Sequence, residues 1–558
     1  MDNLSKLYNI SKKYSSHIFL ATLMIIVSLI TYYKVLIQID IGPVVDTCDF
    51  LSNALIFAGQ NTGYFDLTRP PFFSFLTSLF FRMGYVSPTT IFALDGILYI
   101  FGVAGLFFLL KTHFNDNLSF LGSLLYATFF TVLVYVGVGF SDIASVSFTI
   151  WAFYFLILAV KKDSKFFYLA LPFAMLAFLT RYNNALLIFP ILFYILINKD
   201  KIKNIKDMFA GALVSLLFLI PVFIFFYEKF GNIIYPFMSF FHTSTAPSSI
   251  SFEYNPNSFF YIEKIYLFIG FEGILTVLII AVGFFIYGIL NFKKPKTEKN
   301  IIKRLNFRKK STQLNLILFT ILALIFIGSL SYVHYIISEA LFFILSYLFY
   351  NLIKSLEIKD MELHLLFFAW FMTFFIFHSI YAIKDNRYFI LMAPAVAYFL
   401  ILGLSEISNR LTLKIKNKNV MLPALIIILT IVTIWSTALF LPLTQETNYQ
   451  FKVQNEEITS SSSWLMNYDP NFKNKIIYSD LNSNFGWYLR TNVIEVPIYK
   501  DYKKYGLENH NITPADIKIN DILTEGKAYY YLSNQTGLIL TSYKPLKQFG
   551  NLTIYEKK

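Results

Sequence analysis

Two aspartates three residues apart, Asp46 and Asp49, stand just after the first long apolar run, in the stretch GPVVDTCDFLSNALIFAGQNTGYFDLTRPPFFSFLTSLFFRMG from Gly42 to Gly84. Read at 100° per residue, Asp46, Asp49, Asn53 and Gln60 share one arc, while Phe50, Leu51, Ala54, Leu55 and Ala58 lie on the other side. This pattern predicts a helix along a membrane surface, with two carboxylates on its wet face. Gly42-Pro43 is a suitable entrance, since proline lacks only an N–H that the first turn leaves unpaired. Arg69-Pro70-Pro71 opens a second such helix, with Ser74, Thr77, Ser78 and Arg82 at helical spacing. An acid pair beside a membrane is costly to place without a task. The plain alternative is a solvated face whose first carboxylate meets the helix dipole.

The elements that must position this pair follow from composition. Of 558 residues, 56% are hydrophobic and 15% charged, with 63 Phe and 38 Tyr, which predicts a polytopic membrane protein. Apolar stretches near the ~20 residues a helix needs to cross a bilayer recur from Ile18 to Leu441, too long for porin strands. The net charge of +13 sits mainly between them: Asn291 to Lys310 holds nine Lys or Arg and one Glu. Such clusters fit cytoplasmic loops rather than a nucleic-acid surface. With the N-terminus inside as a retained anchor, roughly thirteen spans place the C-terminus outside. The expected fold class is an α-helical polytopic membrane protein with a small C-terminal α/β soluble domain. The expected division is residues 1–442, including a first outer loop at 39–87, and residues 443–558. Three sequons in the tail, Asn511, Asn534 and Asn551, agree weakly with an exterior location.

On this topology, basic residues should be scarce outside, yet Arg69, Arg82, Arg181, Lys384 and Arg387 all fall there. Guanidinium groups at a lipid–water boundary can hold a phosphate by bidentate, charge-assisted hydrogen bonds. The alternative is snorkelling, or ion pairs to Asp66 or Asp385. Asp142, with Ser141, either caps the fourth span or belongs to the site. Tyr388 reads equally as an interfacial aromatic. His242, His334 and His378 are expected to pack, and Cys48 to be a small buried thiol. The single cysteine excludes an intrachain disulfide and a thiolate zinc cluster. No phosphate-binding glycine loop is present, so a soluble nucleotide donor is not expected. No cofactor is called for, and nothing supports a divalent metal.

The order of these motifs resembles the C-type membrane glycosyltransferases, nearest the protein O-mannosyltransferase and aminoarabinose transferase group. It runs from an acidic first outer loop through L-T-R-P-P-F, an outer Asp after the third span, and T-R-Y-N-N after the fifth. F-G-N-I-I-Y-P after the seventh and N-R-Y-F-I-L-M-A-P near the end complete it. The resemblance covers the membrane part. It implies transfer of a sugar from a polyprenyl or dolichyl monophosphate to a protein, lipid or glycan acceptor. The first-loop acid would be the base; Asp46 fits the acid-x-x-x-aromatic pattern through Phe50, and Asp49 stays a second candidate. Arg181, Arg387, Tyr388, and with them Lys384 and Arg69, would hold the donor phosphate, with Asp142 organising the site. The expected location is the plasma membrane, with the tail outside the cytoplasm. A transporter or flippase of lipid-linked glycans is the rival, and it would place charges and broken helices in mid-membrane.

Overall fold

The structure, a computed structural model, describes residues 2–60, 63–238, 253–254, 257–291, 310–330, 332–381, 383–411, 413–415, 418–447, 449–496, 515–535 and 538–558. Most of the basic segment at 291–310, His242, Asn511 and parts of the loop at 228–264 lie outside the described residues.

Helices dominate. In chain order they are α1 (Asp2–Ile41), α2 (Val45–Phe57), α3 (Pro71–Arg82), α4 (Pro88–Leu110), α5 (Asp116–Thr128), α6 (Phe130–Tyr135), α7 (Ser141–Lys161), α8 (Phe167–Thr180), α9 (Ile188–Ile197), α10 (Ile205–Leu217) and α11 (Leu219–Phe230). After a two-residue strand, β1 (Glu253–Tyr254), come α12 (Ile265–Asn291), α13 (Lys310–Ser329), α14 (Tyr335–Ile353) and α15 (Met361–Ile380). Strand β2 (Ile383–Lys384) pairs antiparallel with β1 and precedes α16 (Ala393–Arg410), the short antiparallel pair β3 (Lys414–Ile415) and β4 (Lys418–Asn419), and α17 (Met421–Thr447). Among the described residues, nine helical stretches are long and apolar enough to cross a membrane, among them Ser15–Ile41, Pro88–Leu110 and Met361–Ile380. Ile25, Leu213, Phe285 and Ile327 are each more than 60% exposed, a surface that a bilayer rather than water would cover. The chain is an integral membrane protein.

The expected spans become helices, with local differences that have physical causes. The run at 118–137 is two helices, because Phe129 has an extended ψ of 132° that interrupts the ladder. The fifth and sixth runs form shorter helices, Ser164–Thr180 and Tyr182–Ile197, which meet at an extended Arg181. The break expected near Ser331 to His334 separates α13 from α14. Gly42, at φ +86°, closes α1 instead of opening α2, and its N–H bonds Gln38 O at 2.8 Å. Helix α2 starts two residues after Pro43.

Beyond α17 the chain forms α18 (Tyr449–Tyr468) and a five-stranded sheet. Strands β5 (Ile477–Ser479), β6 (Val493–Glu495), β7 (Tyr530–Ser533), β8 (Tyr543–Phe549) and β9 (Leu552–Lys557) lie in the order β6-β5-β7-β9-β8. The first three of that order are parallel; β9 and β8 run antiparallel. Side-chain alternation along β7 sends Tyr530 and Leu532 to one face, against Ile458 and Leu465 of α18 and Phe485 of α19 (Asn482–Leu489). Tyr531 goes to the other, against Ile519 and Leu523 of α20 (Ala515–Glu525). Asn455 of α18 donates to Ile41 O at 3.0 Å, and buried Lys34 of α1 reaches Thr444 of α17 at 3.0 Å. The first helix is thereby tied to the last membrane helix and to the tail.

Candidate active site

Helix α2 lies with both faces buried. Phe50, Leu51, Ala54 and Leu55 pack into the membrane-domain core, as their spacing predicts. The opposite arc is not a wet face: Asp46, Asp49 and Asn53 are 9, 2 and 1% exposed. The loop to α3 and the C-terminal domain cover it. Asn53 holds that loop by donating to Asp66 O at 2.6 Å and accepting from Asp66 N at 3.0 Å. Gln60, past the helix end, remains exposed.

The cations that meet this arc and the neighbouring Asp142 come from three separate segments. Arg69 Nη2 lies 3.0 Å from Asp46 Oδ1 and 2.7 Å from Asp49 Oδ2, with Nε 3.1 Å from Asp66. Arg387 Nη1 lies 2.5 Å from Asp46 Oδ2, and its Nε is 3.0 Å from Asp385. Asp385 first fixes its own turn: its carboxylate accepts from Arg387 N at 3.0 Å and so caps the 3-10 helix Asn386–Leu391. Arg181 leaves the end of α8 in an extended conformation, φ −154° and ψ 116°, which points it away from the helix. Its Nη1 lies 2.7 Å from Asp142 Oδ1. Tyr388 sits between the two guanidinium groups, 5.1 Å from Arg181 and 5.6 Å from Arg387, ring centroid to carbon. His378 stacks on Tyr388 at 4.5 Å, so it packs as expected, yet it packs at the site.

Five carboxylates (Asp46, Asp49, Asp66, Asp142, Asp385) therefore face three guanidiniums (Arg69, Arg181, Arg387). Burial alone would push the Asp46 carboxyl up. Arg69 and Arg387 outweigh it and hold the group well below the usual carboxylate range. For Asp49 burial prevails over Arg69, and with help from Asp66 it lifts the carboxyl to about 6. Two acids one helical turn apart are thus pushed in opposite directions.

Two of the expected phosphate ligands have different surroundings. Lys384 Nζ donates to the carbonyls of His378, Ser379 and Tyr381 at 2.5, 2.9 and 2.6 Å, capping the C-terminus of α15. A lysine three to six residues past a helix's free carbonyls finds three acceptors at the negative end of the helix dipole, which uses up all three of its donors. Arg69 is a bridge across three aspartates, the ion-pair alternative realised. Asp142 does not cap α7: Phe140 occupies the N-cap without a side-chain bond, and the carboxylate turns to Arg181.

Sequence reasoning did not find what supports these groups. Asp95, buried in α4, accepts Gly137 N at 2.8 Å and Gly139 N at 3.4 Å. Both glycines have positive φ, +75° and +85°. The loop they form presents Val138 O to the Thr47 hydroxyl at 3.0 Å and the Phe140 ring to Arg387 at 4.8 Å. A carboxylate inside an apolar run is a sequence-visible signal, and here backbone N–H groups bond one of its oxygens. Tyr64 and Ser483, which also reach Asp49, carry no such signal. Among the described residues, no three His, Cys, Asp or Glu side chains converge as a metal ion requires.

What the fold and these groups define first is a polytopic membrane protein that gathers buried acids and guanidiniums beside its helix ends. Residues 68–225, from the loop before α3 into α11, match the family model for dolichyl-phosphate-mannose-protein mannosyltransferase. The structure is similar to that of ArnT from Cupriavidus metallidurans bound to undecaprenyl phosphate, with a TM-score of 0.55 at 12% identity over 96% of this chain and 97% of that one. Its apo state gives 0.54 at the same identity and coverage. The apo oligosaccharyltransferase of Archaeoglobus fulgidus gives 0.52 at 12% identity, covering 94% of this chain and 70% of that one. No curated protein matches the chain. The family model covers residues 68–225 of the 558, and at 12% identity the likeness to the solved structures is one of fold.

Proposed function

We propose that the protein transfers a sugar from a polyprenyl or dolichyl monophosphate to an acceptor hydroxyl at the outer face of the membrane, with inversion. The observation that carries this reading is the 2.5 Å contact between Arg387 and Asp46, residues 341 apart in sequence. It puts a proton acceptor beside a group suited to receive a departing phosphate. The ArnT relative whose structure holds undecaprenyl phosphate supports a lipid-phosphate donor.

In the proposed reaction the acceptor oxygen attacks the anomeric carbon while its proton passes to Asp46. The bond from that carbon to the phosphate oxygen breaks, and Arg387 and Arg181 take up the phosphate charge. The resting Asp46 is too acidic to be an effective base. A phosphate drawing on Arg387 would divide its attraction for Asp46 and add a negative charge nearby, and both effects raise the carboxyl toward a useful range. Donor binding thereby prepares the base.

The test is Asp46→Asn with a radiolabelled polyprenyl-phosphate sugar and a panel of acceptors, scored for freed lipid phosphate. Loss of about 10² to 10⁴ in rate is expected in a variant that still folds. Full turnover in the variant removes Asp46 from the role. Movement of the labelled lipid across the bilayer without bond cleavage replaces the reading with transport.

A further inference from the structure

Asp49 has a partner that the proposed reaction leaves unused, and it arrives from the other end of the chain. The Tyr64 hydroxyl donates to Asp49 Oδ1 at 2.6 Å and lies 2.9 Å from Ser483 Oγ, 419 residues away. With the tyrosine proton engaged by the carboxylate, Ser483 must be the donor in the second bond. All three residues are buried: Asp49, Ser483 and Tyr64 are 2, 5 and 6% exposed. Ser483 stands in the first turn of α19, at the carboxyl end of β5, so its place is set by the sheet. Packing allows little slack. A Cβ on Gly486 of α19 would fall 2.3 Å from the Tyr64 ring, and one on Gly63 would fall 2.8 Å from Asn492 N.

We propose that the C-terminal domain completes the active site, with Ser483 acting through Tyr64 to orient the Asp49 carboxylate and keep it charged. Both are positioning residues. The proposal rests on the transferase reading for its purpose, and on geometry for its existence. A charged Asp49 is what holds Arg69 Nη2 at 2.7 Å, and Arg69 in turn holds Asp46. A protonated Asp49 becomes a donor, which would reverse both hydrogen bonds and release Arg69 toward Asp46 and Asp66 alone. The C-terminal domain thus has a direct hold on how charge is shared around Asp46. Asp49 is faced by Tyr64, Asp66 and Arg69 from the loop and by Asp46 and Cys48 on its own helix. Its carboxyl, raised to about 6 by burial, is brought down by Arg69 and by the hydrogen bond from Tyr64. It is therefore poised where loss of one hydroxyl changes its charge near neutral pH.

The experiment uses the full-length protein in detergent with Ser483→Ala, Ser483→Thr and Tyr64→Phe. Titration of the Asp49 carboxyl is followed by infrared difference spectroscopy, the band being assigned by its absence in Asp49→Asn. The acid limb of kcat/KM is measured in parallel. One charge-assisted hydrogen bond corresponds to a shift of about one to two pH units. The midpoint is expected to rise by about one unit in Ser483→Ala and by at least that in Tyr64→Phe, with Ser483→Thr close to wild type. The rate loss should be about tenfold on the acid side and vanish on the alkaline side. An unmoved infrared midpoint in Ser483→Ala, or a rate loss equal at every pH, overturns the proposal. If Tyr64→Phe does not fold, the Ser483 pair decides alone. If even the wild type transfers no sugar, the infrared titration still tests this relay, and only the transferase reading fails.

Discussion

Replacing Arg387 by Gln separates the two things its guanidinium could do for the proposed reaction. It lies 2.5 Å from Asp46 and 3.0 Å from Asp385, and is itself 7% exposed. Unit charges at about 4 Å attract by about 4 kcal/mol at the effective dielectric of ~20 that describes such sites. An adjacent opposite charge typically lowers a carboxyl by about 1 to 3 units. Arg387→Gln should therefore return Asp46 toward an ordinary carboxylate value and make it the stronger base. If Arg387 served only to tune Asp46, turnover would hold or improve. If it receives the leaving phosphate, loss of a preorganised group of this kind costs about 10² to 10³ in kcat. We expect the latter, with a defect that raising the pH does not repair. Arg387→Lys should recover part of the rate, because a point charge cannot span Asp46 and Asp385 as the planar fork does. The assay is single-turnover release of lipid phosphate from a labelled lipid-linked sugar across the pH range in which the protein stays folded, with thermal unfolding as control. A Gln variant within about threefold of wild type, about 0.6 kcal/mol, would refute the reasoning.

The excess of carboxylates over guanidiniums predicts that an anionic ligand enters more readily when Asp49 takes a proton. The affinity for a polyprenyl phosphodiester, whose single charge does not titrate, should rise as pH falls through about 6, the Asp49 value. Asp49→Asn should flatten that slope; an unchanged slope in binding isotherms would contradict the assignment. Lys384→Met should lower stability by ~1.5–3 kcal/mol or more, since charge-assisted bonds to three carbonyls are lost. The donor KM should change less than about twofold. A large KM effect in a variant of normal thermal stability would return Lys384 to the phosphate.

The membrane helices were legible because bilayer thickness forces long apolar runs, and the pairing of Arg387 with Asp46 and of Arg181 with Asp142 follows from the need of guanidiniums at helix ends for an anion. Three features were not. The arc of Asp46, Asp49 and Asn53 reads as solvated, and is buried because the Tyr64 loop and α19 close over it, a tertiary contact that no local pattern encodes. Lys384 looks like Arg387 in sequence. Only the end of α15, with its unpaired carbonyls, distinguishes a helix cap from an anion ligand. Asp95 is a charge within an apolar run, but its partners are backbone N–H groups of two glycines, which have no side-chain signature. The Asp49–Tyr64–Ser483 link spans most of the polypeptide and joins residue types too common to notice.

The 341 residues between Asp46 and Arg387 also have a temporal meaning. At a synthesis rate of about 5–20 residues per second, the acidic helix waits on the order of 17 to 70 s before its guanidinium leaves the ribosome. Ser483 follows later still. During that interval Arg69 is the sole cation near two acids, and a carboxylate cannot stay charged in lipid unaccompanied. Helix α2 must then lie in the headgroup layer, or carry protons it later gives up, until the last membrane helices insert. Biogenesis of this protein ends, rather than begins, with the pairing of its buried acids.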